Sequence, residues 1–261
     1  MKPVIYTAVL GNRSNYHALD FPGMSKWRRL YFTDKPIPSS SWTMHKAVNI
    51  GDNDARLSSK LFKLFPQNHF VSEYNMWLDG TMSVRRDPIA LVRYMEEHKL
   101  DMLACNNHNG NLLANIRRAL FTQRYKPRCL ECLNKQLAYC KANDMSDYPA
   151  VYGGWLLRKS TASTAATMDL WYEYIQRFGV RCQPSLAIAL QQSVLLNGLK
   201  LRILTSATWC SYFRLYDHKR DSLTPRCKSI TLIADKEHPN GEIEVLPQYK
   251  HRGATVESNI L

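Results

Sequence analysis

The feature that most constrains the fold of this chain is a short apolar run that stops abruptly at an acidic residue, within residues 74–88 (YNMWLDGTMSVRRDP). Residues 76–78 form the run, which is too short for a helix and is rich in residue types that favour strands. Asp79 and Gly80 follow it, and an acid before a glycine is typical of a turn. We therefore predict a strand that ends at Asp79.

The position of Asp79 suggests a function, but it also has an ordinary explanation. In α/β proteins the carboxyl ends of the strands line the crevice where ligands bind, so an acid there is available to a metal or a substrate. The alternative is an acid that ends a strand and begins a turn, with no further role. This stretch alone leaves both interpretations open.

Strand-like and helix-like segments alternate along the rest of the chain. The sequence predicts strands at residues 3–10, 27–33, 101–105, 151–157 and 199–207, and helices at 52–65, 89–98, 111–125, 130–142, 168–178 and 185–196. Such alternation indicates an α/β fold. The polar residues 106–110, which include His108, are predicted to form a loop at the ligand edge of the sheet.

The chain is strongly basic, with 35 lysines and arginines against 22 acidic residues and a formal net charge of +13. This excess indicates an anionic partner: a nucleic acid, a phosphate-bearing small molecule or an anionic membrane surface, among which the charge alone does not choose. The sequence has no apolar run long enough to span a membrane and does not begin with a signal-peptide pattern. We therefore expect an intracellular, cytoplasmic protein without integral membrane contact.

Cysteines and paired cations provide two further candidate sites. Cys129, Cys132 and Cys140 have the spacing of a zinc knuckle, although the same segment also fits a plain amphipathic helix. Arg56 and Lys60 lie one turn apart on a predicted helix and could bind a diphosphate together, whereas the alternative is a solvated helix face. The sequence leaves both pairs of alternatives open.

Several pieces of the sequence occur in an order that resembles a known family. They are Ile5-Tyr6-Thr7-Ala8 with Gly11, Tyr31-Phe32-Thr33-Asp34, Trp42, Arg56 with Lys60, Trp77-Leu78-Asp79-Gly80, Asp87-Pro88, His108, Arg158, Trp171 and Arg181 to Ser185. Together they resemble the TOD/MUCI glycosyltransferase-like domain, whose members are similar to nucleotide-sugar transferases of the GT-A fold. The resemblance covers residues 5–196. It implies a GT-A-like domain, residues 1–208, with a mostly parallel sheet flanked by helices, and an extension, 209–261, that completes the site and has a partly flexible tail.

The resemblance implies how a nucleotide-sugar donor is bound. The implied donor-binding residues are Thr7, Gly11, Asp34, Arg56, Lys60, Trp77 and Gly80. Asp79 and His218 would hold Mn²⁺ or Mg²⁺, which neutralises the diphosphate as it leaves. Thr81, however, occupies the position where such enzymes usually carry a second acid.

Catalysis and acceptor binding are implied in the same way. Asp79, Arg181 and Gln183 would be catalytic, and the implied acceptor-binding residues are His108, Arg117, Arg118, Gly153, Gly154 and Trp155. The chain departs from the family where Arg-Asp-Gln is usual, because Cys182 replaces the acid and a neutral thiol is a poor general base. The acidic motif that usually follows the His108 position is also absent, which indicates a changed acceptor or lost activity.

The leading hypothesis is a glycosyltransferase that moves a sugar from a nucleotide-diphosphate sugar to a hydroxyl acceptor. A basic cluster consists of Arg117, Arg118, Arg124, Lys126 and Arg128, and it would suit a hydroxymethylated base in DNA as the acceptor. One alternative is a glycosyltransferase that acts on a cell-surface polysaccharide. Another is a catalytically inactive nucleic-acid-binding protein that has kept the fold.

Overall fold

The computed structural model describes residues 1–11, 25–35, 41–47, 55–121, 127–179 and 182–215. The strands are β1 (Val4–Val9), β2 (Arg28–Thr33), β3 (Thr43–Lys46), β4 (Tyr74–Leu78), β5 (Met82–Val84), β6 (Met102–Asn111), β7 (Pro149–Lys159), β8 (Leu201–Leu204) and β9 (Phe213–Leu215). The helices are α1 (Ala55–Leu64), α2 (Ile89–Glu97), α3 (Leu112–Phe121), α4 (Pro127–Ala142), α5 (Ala162–Phe178), α6 (Cys182–Leu196) and α7 (Ser206–Tyr212). Among these described helices, none is long and apolar enough to cross a lipid bilayer.

The central sheet is mostly parallel, as the resemblance implied. Its strand order is β3-β2-β1-β4-β7-β6-β8. Strand β7 runs antiparallel to both β4 and β6, whereas β1 pairs in parallel with β2 and β4, β2 with β3, and β6 with β8. Because β1, β2 and β4 are parallel neighbours, the residues that follow them meet at one edge of the sheet. The α/β fold is confirmed.

Both faces of the sheet are covered, which explains why its central strands are buried throughout and mostly apolar, with Thr7 and Asn75 as buried polar residues. All six residues of β1 and all five of β4 are buried. Tyr6 and Trp77 belong to a core formed with α1, α3, α4, α5 and α6, whereas Ile5 and Met76 belong to a second core formed with α2 and α7. Successive residues of a strand point to opposite faces, so continuous apolar runs are required in these strands.

Two predicted segments differ from the structure in kind, whereas others differ only in where they begin or end: α5, predicted from residue 168, begins at Ala162. Strand β6 continues to Asn111, so the loop predicted at residues 106–110 lies within a strand, although its pairing with β7 is irregular there. The strand predicted at 199–207 is shorter than expected, because Thr205 caps a helix by accepting a hydrogen bond from the Thr208 N–H. Short strands β5 and β9 form a separate antiparallel pair that the sequence did not indicate.

The segment around the predicted domain boundary packs onto the second core. Helix α7 spans the boundary predicted at residue 208, and Trp209, Tyr212 and Phe213 are buried in that core. The division into residues 1–208 and 209–261 stays a prediction. Residues 216–261, which contain His218 and the predicted flexible tail, lie outside the described residues.

Candidate functional site

Asp79 stands at the end of β4, where a turn fixes its backbone. Its N–H donates to the Gly154 carbonyl at 2.7 Å, and its own carbonyl accepts from the Met82 N–H at 2.8 Å. The second bond closes a four-residue turn around Gly80. The side chain of Asp79 is 38% exposed, so its carboxylate lies at the ligand edge of the sheet and within reach of a substrate.

Two groups of the protein orient the Asp79 carboxylate. The indole N–H of Trp77 donates to Oδ1 at 2.7 Å, which is possible because residues two apart on a strand share a face. The Lys63 ammonium lies 3.6 Å from the same oxygen. The carboxylate is therefore held by a hydrogen bond and an ion pair together.

Lys63 is a buried cation that the sequence analysis did not single out. It comes from the last turn of α1, and its ammonium donates to the Gly153 carbonyl. The ammonium also lies 5.3 Å from the ring centre of Trp77 and 5.4 Å from that of Trp171. The one sequence signal for its burial is its position between Phe62 and Leu64, both of which are core residues.

Gly153 has no side chain, and this leaves room for the Lys63 ammonium. A Cβ at this position would lie 3.3 Å from the Lys63 ammonium and 3.8 Å from Cγ of Gln183. Gln183 belongs to the first turn of α6, which packs against β7. The structure thus brings together Asp79, Gly153 and Gln183, three residues that the resemblance implied, around a lysine that it did not.

A second polar corner is formed where β1 and β2 end. The Gly11 N–H donates to Oδ2 of Asp34 at 2.8 Å. Gly11 has φ +80°, which a side chain would strain, and a Cβ there would also lie 2.9 Å from Cβ of Ala55. Oδ1 of Asp34 is buried and has no hydrogen-bond partner within the described part of the chain. This corner therefore presents a carboxylate oxygen beside the start of α1.

The other implied donor residues lie along the same edge or within β1. Helix α1 carries Lys60, which is half-buried, and Arg56, whose side chain lies outside the description. Thr7 is buried within β1, and its hydroxyl has no partner among the described residues. Helix α1 therefore runs from the Asp34 corner at Ala55 to the Asp79 turn at Lys63, a length of about 12 Å at the usual rise per residue.

The implied acceptor residues are more dispersed. Arg117 and Arg118 are exposed on α3, whereas Trp155 is fully buried and packs against Phe213 in the second core, with ring centres 5.1 Å apart. His108 lies in β6, and its side chain is not described. Arg181, His218, Arg124 and Lys126 lie outside the described residues. The roles of all these residues stay predictions.

The described residues do not by themselves fit a divalent cation at Asp79. None of their His, Cys, Asp and Glu side chains form a group of three that could hold a metal. Thr81, at the position of the usual second acid, is buried. The Asp79 oxygen that accepts from Trp77 also faces the Lys63 ammonium, whose positive charge would repel a dication at this carboxylate. His218, the other implied metal ligand, is outside the description.

The candidate zinc knuckle stays a prediction, because the side chain of Cys129 is not among those that the structure describes. Cys140 is fully buried in the first core, and burial raises the pKa of its thiol to about 12. The segment forms α4, the helix that the alternative interpretation predicted. Cys182, which replaces the family acid, lies at the start of α6, and its carbonyl accepts from the Trp171 indole at 2.9 Å.

Comparison with known proteins agrees with the resemblance seen in the sequence. A sequence model of the TOD1/MUCI70 glycosyltransferase-like domain matches residues 34–218. Among solved structures, galactosyltransferase LgtC in complex with donor and acceptor sugar analogues is similar, with 10% identity, a TM-score of 0.44, and coverage of 78% of this chain and 74% of that one. Mouse xyloside xylosyltransferase 1 is similar with 8% identity, a TM-score of 0.45, and coverage of 78% and 85%. No curated protein matches the sequence.

Proposed function

Because the chain belongs to the TOD1/MUCI70 glycosyltransferase-like family, we propose that it transfers a sugar from a nucleotide-diphosphate sugar to a hydroxyl acceptor. The observation that carries the proposal is the Asp79 site. A carboxylate at the end of β4 is oriented by Trp77 and Lys63, is partly exposed, and lies beside Gly153. Such a fixed carboxylate can accept hydrogen bonds from the hydroxyls of a donor sugar and hold the sugar for reaction.

The donor's nucleotide is proposed to lie along α1. The Asp34 corner, at the start of this helix, offers a buried carboxylate oxygen that suits the hydroxyls of a ribose. Lys60, with Arg56, would balance the charge of the diphosphate as it leaves. The length of α1 between the corner and Lys63, about 12 Å, is comparable with the length of a nucleoside diphosphate.

Gln183 and Arg181 are proposed to act at the reacting end of the donor. Gln183 lies in the first turn of α6, and its Cγ is close to the position of Gly153, beside the Lys63 ammonium. Its amide can therefore reach the space beside Asp79 and donate a hydrogen bond to a sugar or phosphate oxygen. Cys182 is not proposed as the base, because a neutral thiol accepts protons poorly.

For the acceptor, we propose an anionic molecule with a free hydroxyl. Arg117 and Arg118 are exposed on α3 and belong to the basic cluster of the sequence. The most specific form of this proposal is DNA with a hydroxymethylated base, and the alternative acceptor is a cell-surface polysaccharide. We propose the cytoplasm as the location of the protein. Neutralising Arg117 and Arg118 together is expected to weaken acceptor use and to leave donor hydrolysis unchanged, which paired assays of the two reactions would measure.

The experiment that tests the transferase proposal is hydrolysis of a panel of nucleotide-sugars by the wild type, Asp79→Asn and Asp87→Asn. Asp87 is a matched control, since it also accepts from a tryptophan indole, that of Trp27 at 2.9 Å, but belongs to the start of α2. We expect one donor to be hydrolysed, with a loss of at least about 100-fold in Asp79→Asn and no loss in Asp87→Asn.

Two other results would contradict the transferase proposal. Equal hydrolysis by all three proteins would mean that Asp79 is not at the reacting centre. No hydrolysis or binding of any donor, together with salt-sensitive binding of DNA, would favour the inactive nucleic-acid-binding protein on this fold.

A further inference from the structure

We propose that Lys63 is the resident cation of the Asp79 site, so that Asp79 serves as one half of an ion pair and not as a ligand of a divalent metal. Only one part of this inference, the effect of Lys63 on sugar transfer, rests on the proposed function. The ion pair itself rests on the geometry of described residues: the ammonium lies 3.6 Å from Asp79 Oδ1 and its side chain is 6% exposed.

The surroundings of Lys63 are those that a buried ammonium requires. A charge removed from water is tolerated when a counter-charge and hydrogen-bond acceptors replace the water. Here Asp79 is the counter-charge, and the Gly153 carbonyl accepts a hydrogen bond. The rings of Trp77 and Trp171 lie within 5.4 Å of the ammonium and attract a cation through their faces. Four groups, a carboxylate, a carbonyl and two indole rings, therefore hold one cation at this position.

The same arrangement makes Asp79 a poor anchor for a second cation. A dication near its carboxylate would also be near the Lys63 ammonium, and like charges at this separation repel strongly in a partly buried site. In addition, Asp79 and Lys63 together have no net charge, so the pair attracts a metal less than a free carboxylate does. Thr81 supplies no second carboxylate to compensate.

Lys63 is a positioning residue under this proposal, because it acts on the donor through Asp79. It fixes the orientation of the carboxylate and adds a permanent positive charge near the end of α1, where the diphosphate is proposed to leave. Gly153 belongs to the same arrangement, since its lack of a side chain leaves room for the ammonium. A merely structural lysine would have no effect on metal dependence, and this difference is what the experiment measures.

The first arm of the experiment uses Mn²⁺ alone, without donor, and measures bound Mn²⁺ by electron paramagnetic resonance together with the melting temperature. The proteins are the wild type, Asp79→Asn, Lys63→Met and Lys159→Met. Lys159 is the matched control, since its ammonium lies 3.7 Å from Glu73 at the far end of β7, where it is more exposed. We expect the wild type, Lys159→Met and Asp79→Asn to bind Mn²⁺ equally weakly.

Removing the ammonium should create a metal site that the wild type lacks. Lys63→Met is expected to bind Mn²⁺ at least about tenfold more tightly than the wild type, and Lys63→Met/Asp79→Asn is expected to lose that gain. Tight binding of Mn²⁺ by the wild type that Asp79→Asn abolishes would overturn the proposal, as would Lys63→Met binding no more tightly than the wild type. If Lys63→Met does not fold, Mn²⁺ binding by the wild type and by Asp79→Asn is compared alone. Equally weak binding supports the proposal, and tight wild-type binding that Asp79→Asn abolishes overturns it.

The second arm uses the donor found in the nucleotide-sugar panel and compares turnover with EDTA and with Mn²⁺. We expect wild-type turnover to be the same in both, Lys63→Arg to keep much of it, and Lys63→Met to lose at least about tenfold. Turnover that EDTA abolishes in the wild type would overturn the proposal. If no donor is turned over, the transferase proposal fails, and the Mn²⁺ arm still decides whether Lys63 excludes a metal from Asp79.

Discussion

Among the residues that the structure describes, two basic side chains, Lys63 and Arg158, are buried, and their surroundings differ. Lys63 faces the Asp79 carboxylate, which is partly exposed at the carboxyl end of β4. Arg158 lies near the opposite end of that strand, where it is paired in register with Asn75. The described partners of Arg158 are neutral: it donates to Asn75 Oδ1 at 3.0 Å, to the Lys63 carbonyl at 2.8 Å and to the Tyr6 hydroxyl.

This contrast separates Arg158, a structural cation, from Lys63, for which we propose a function. Every partner of Arg158 just named is internal, so the guanidinium joins β1, β4, β7 and α1. Burial lowers the pKa of Arg158 and raises the pKa of Tyr6 to about 12, so the tyrosine is a neutral acceptor at physiological pH. Lys63, by contrast, acts on a group that solvent and ligands can reach. The two are connected, because Arg158 holds the backbone carbonyl of the residue whose ammonium orients Asp79.

The largest expected effect on stability comes from replacing Arg158, the structural cation of this comparison. Arg158→Met leaves the buried Oδ1 of Asn75 and the Tyr6 hydroxyl without the donor that Arg158 provides, whereas the Lys63 carbonyl keeps the hydrogen bond from Tyr6. The substitution should lower the free energy of unfolding by about 3 kcal/mol. Urea denaturation measures this change. Lys159→Met is the control, since the ion pair of this neighbour with Glu73 is exposed and its ammonium otherwise lies over the Tyr74 ring, so its loss should change stability by less than about 1 kcal/mol. Equal effects of the two substitutions would show that Arg158 is not a structural centre.

Replacing Lys63 should lower stability less than replacing Arg158 does, and should lower activity more. Lys63→Met should lower the free energy of unfolding by about 1 kcal/mol, because Asp79 is exposed enough for water to replace the ammonium. Turnover of the donor should nevertheless fall by at least about tenfold, since the carboxylate loses its fixed orientation. Denaturation and initial-rate measurements on one preparation would test both values. If Lys63→Met lost much stability while its folded fraction kept wild-type turnover, Lys63 would be a structural residue and not a functional one.

The smallest expected effect on stability concerns a third basic group, His69. His69 stacks on Phe62 with ring centres 4.2 Å apart, and burial lowers its pKa below the usual 6.5. The unfolded chain therefore binds this proton more tightly than the folded one, so its contribution to stability is complete above pH 6.5 and is lost as the pH falls below that value. Stability of the wild type measured against pH should decline more below pH 6.5 than that of His69→Phe. Identical profiles would contradict this account.

Much of the fold could be predicted because it depends on local patterns. The apolar runs of β1 and β4 end at polar turns, and these ends place Gly11 and Asp79 at one edge of a parallel sheet. The extent of β6 could not be predicted, because Asn106 to Gly110 is typical of a loop and the strand resumes its pairing with β7 only at Asn111, after an irregularity. Strands β5 and β9 are three residues each, too short to show an alternating pattern.

The candidate site was predicted only in part, for a related reason. Asp79 and Gln183 belong to pieces of sequence that resemble the family, Gly153 is an acceptor residue that the resemblance implied, and the three converge in the structure. Lys63 gave almost no signal, because a lysine in a helix is usually solvated and its burial depends on partners distant in the chain. Gly153, whose carbonyl accepts from Lys63, lies 90 residues away in the sequence. Tertiary contacts of this kind have no local pattern.

The most direct test of the central claim is the anomalous diffraction of crystals grown with Mn²⁺ and the nucleoside diphosphate of the active donor. We expect a diphosphate between α1 and Asp79, the Lys63 ammonium still beside the carboxylate, and no manganese peak on Asp79. A manganese peak coordinated by Asp79, with Lys63 displaced, would contradict the account. A nucleotide bound away from Asp79 would contradict the transferase site itself.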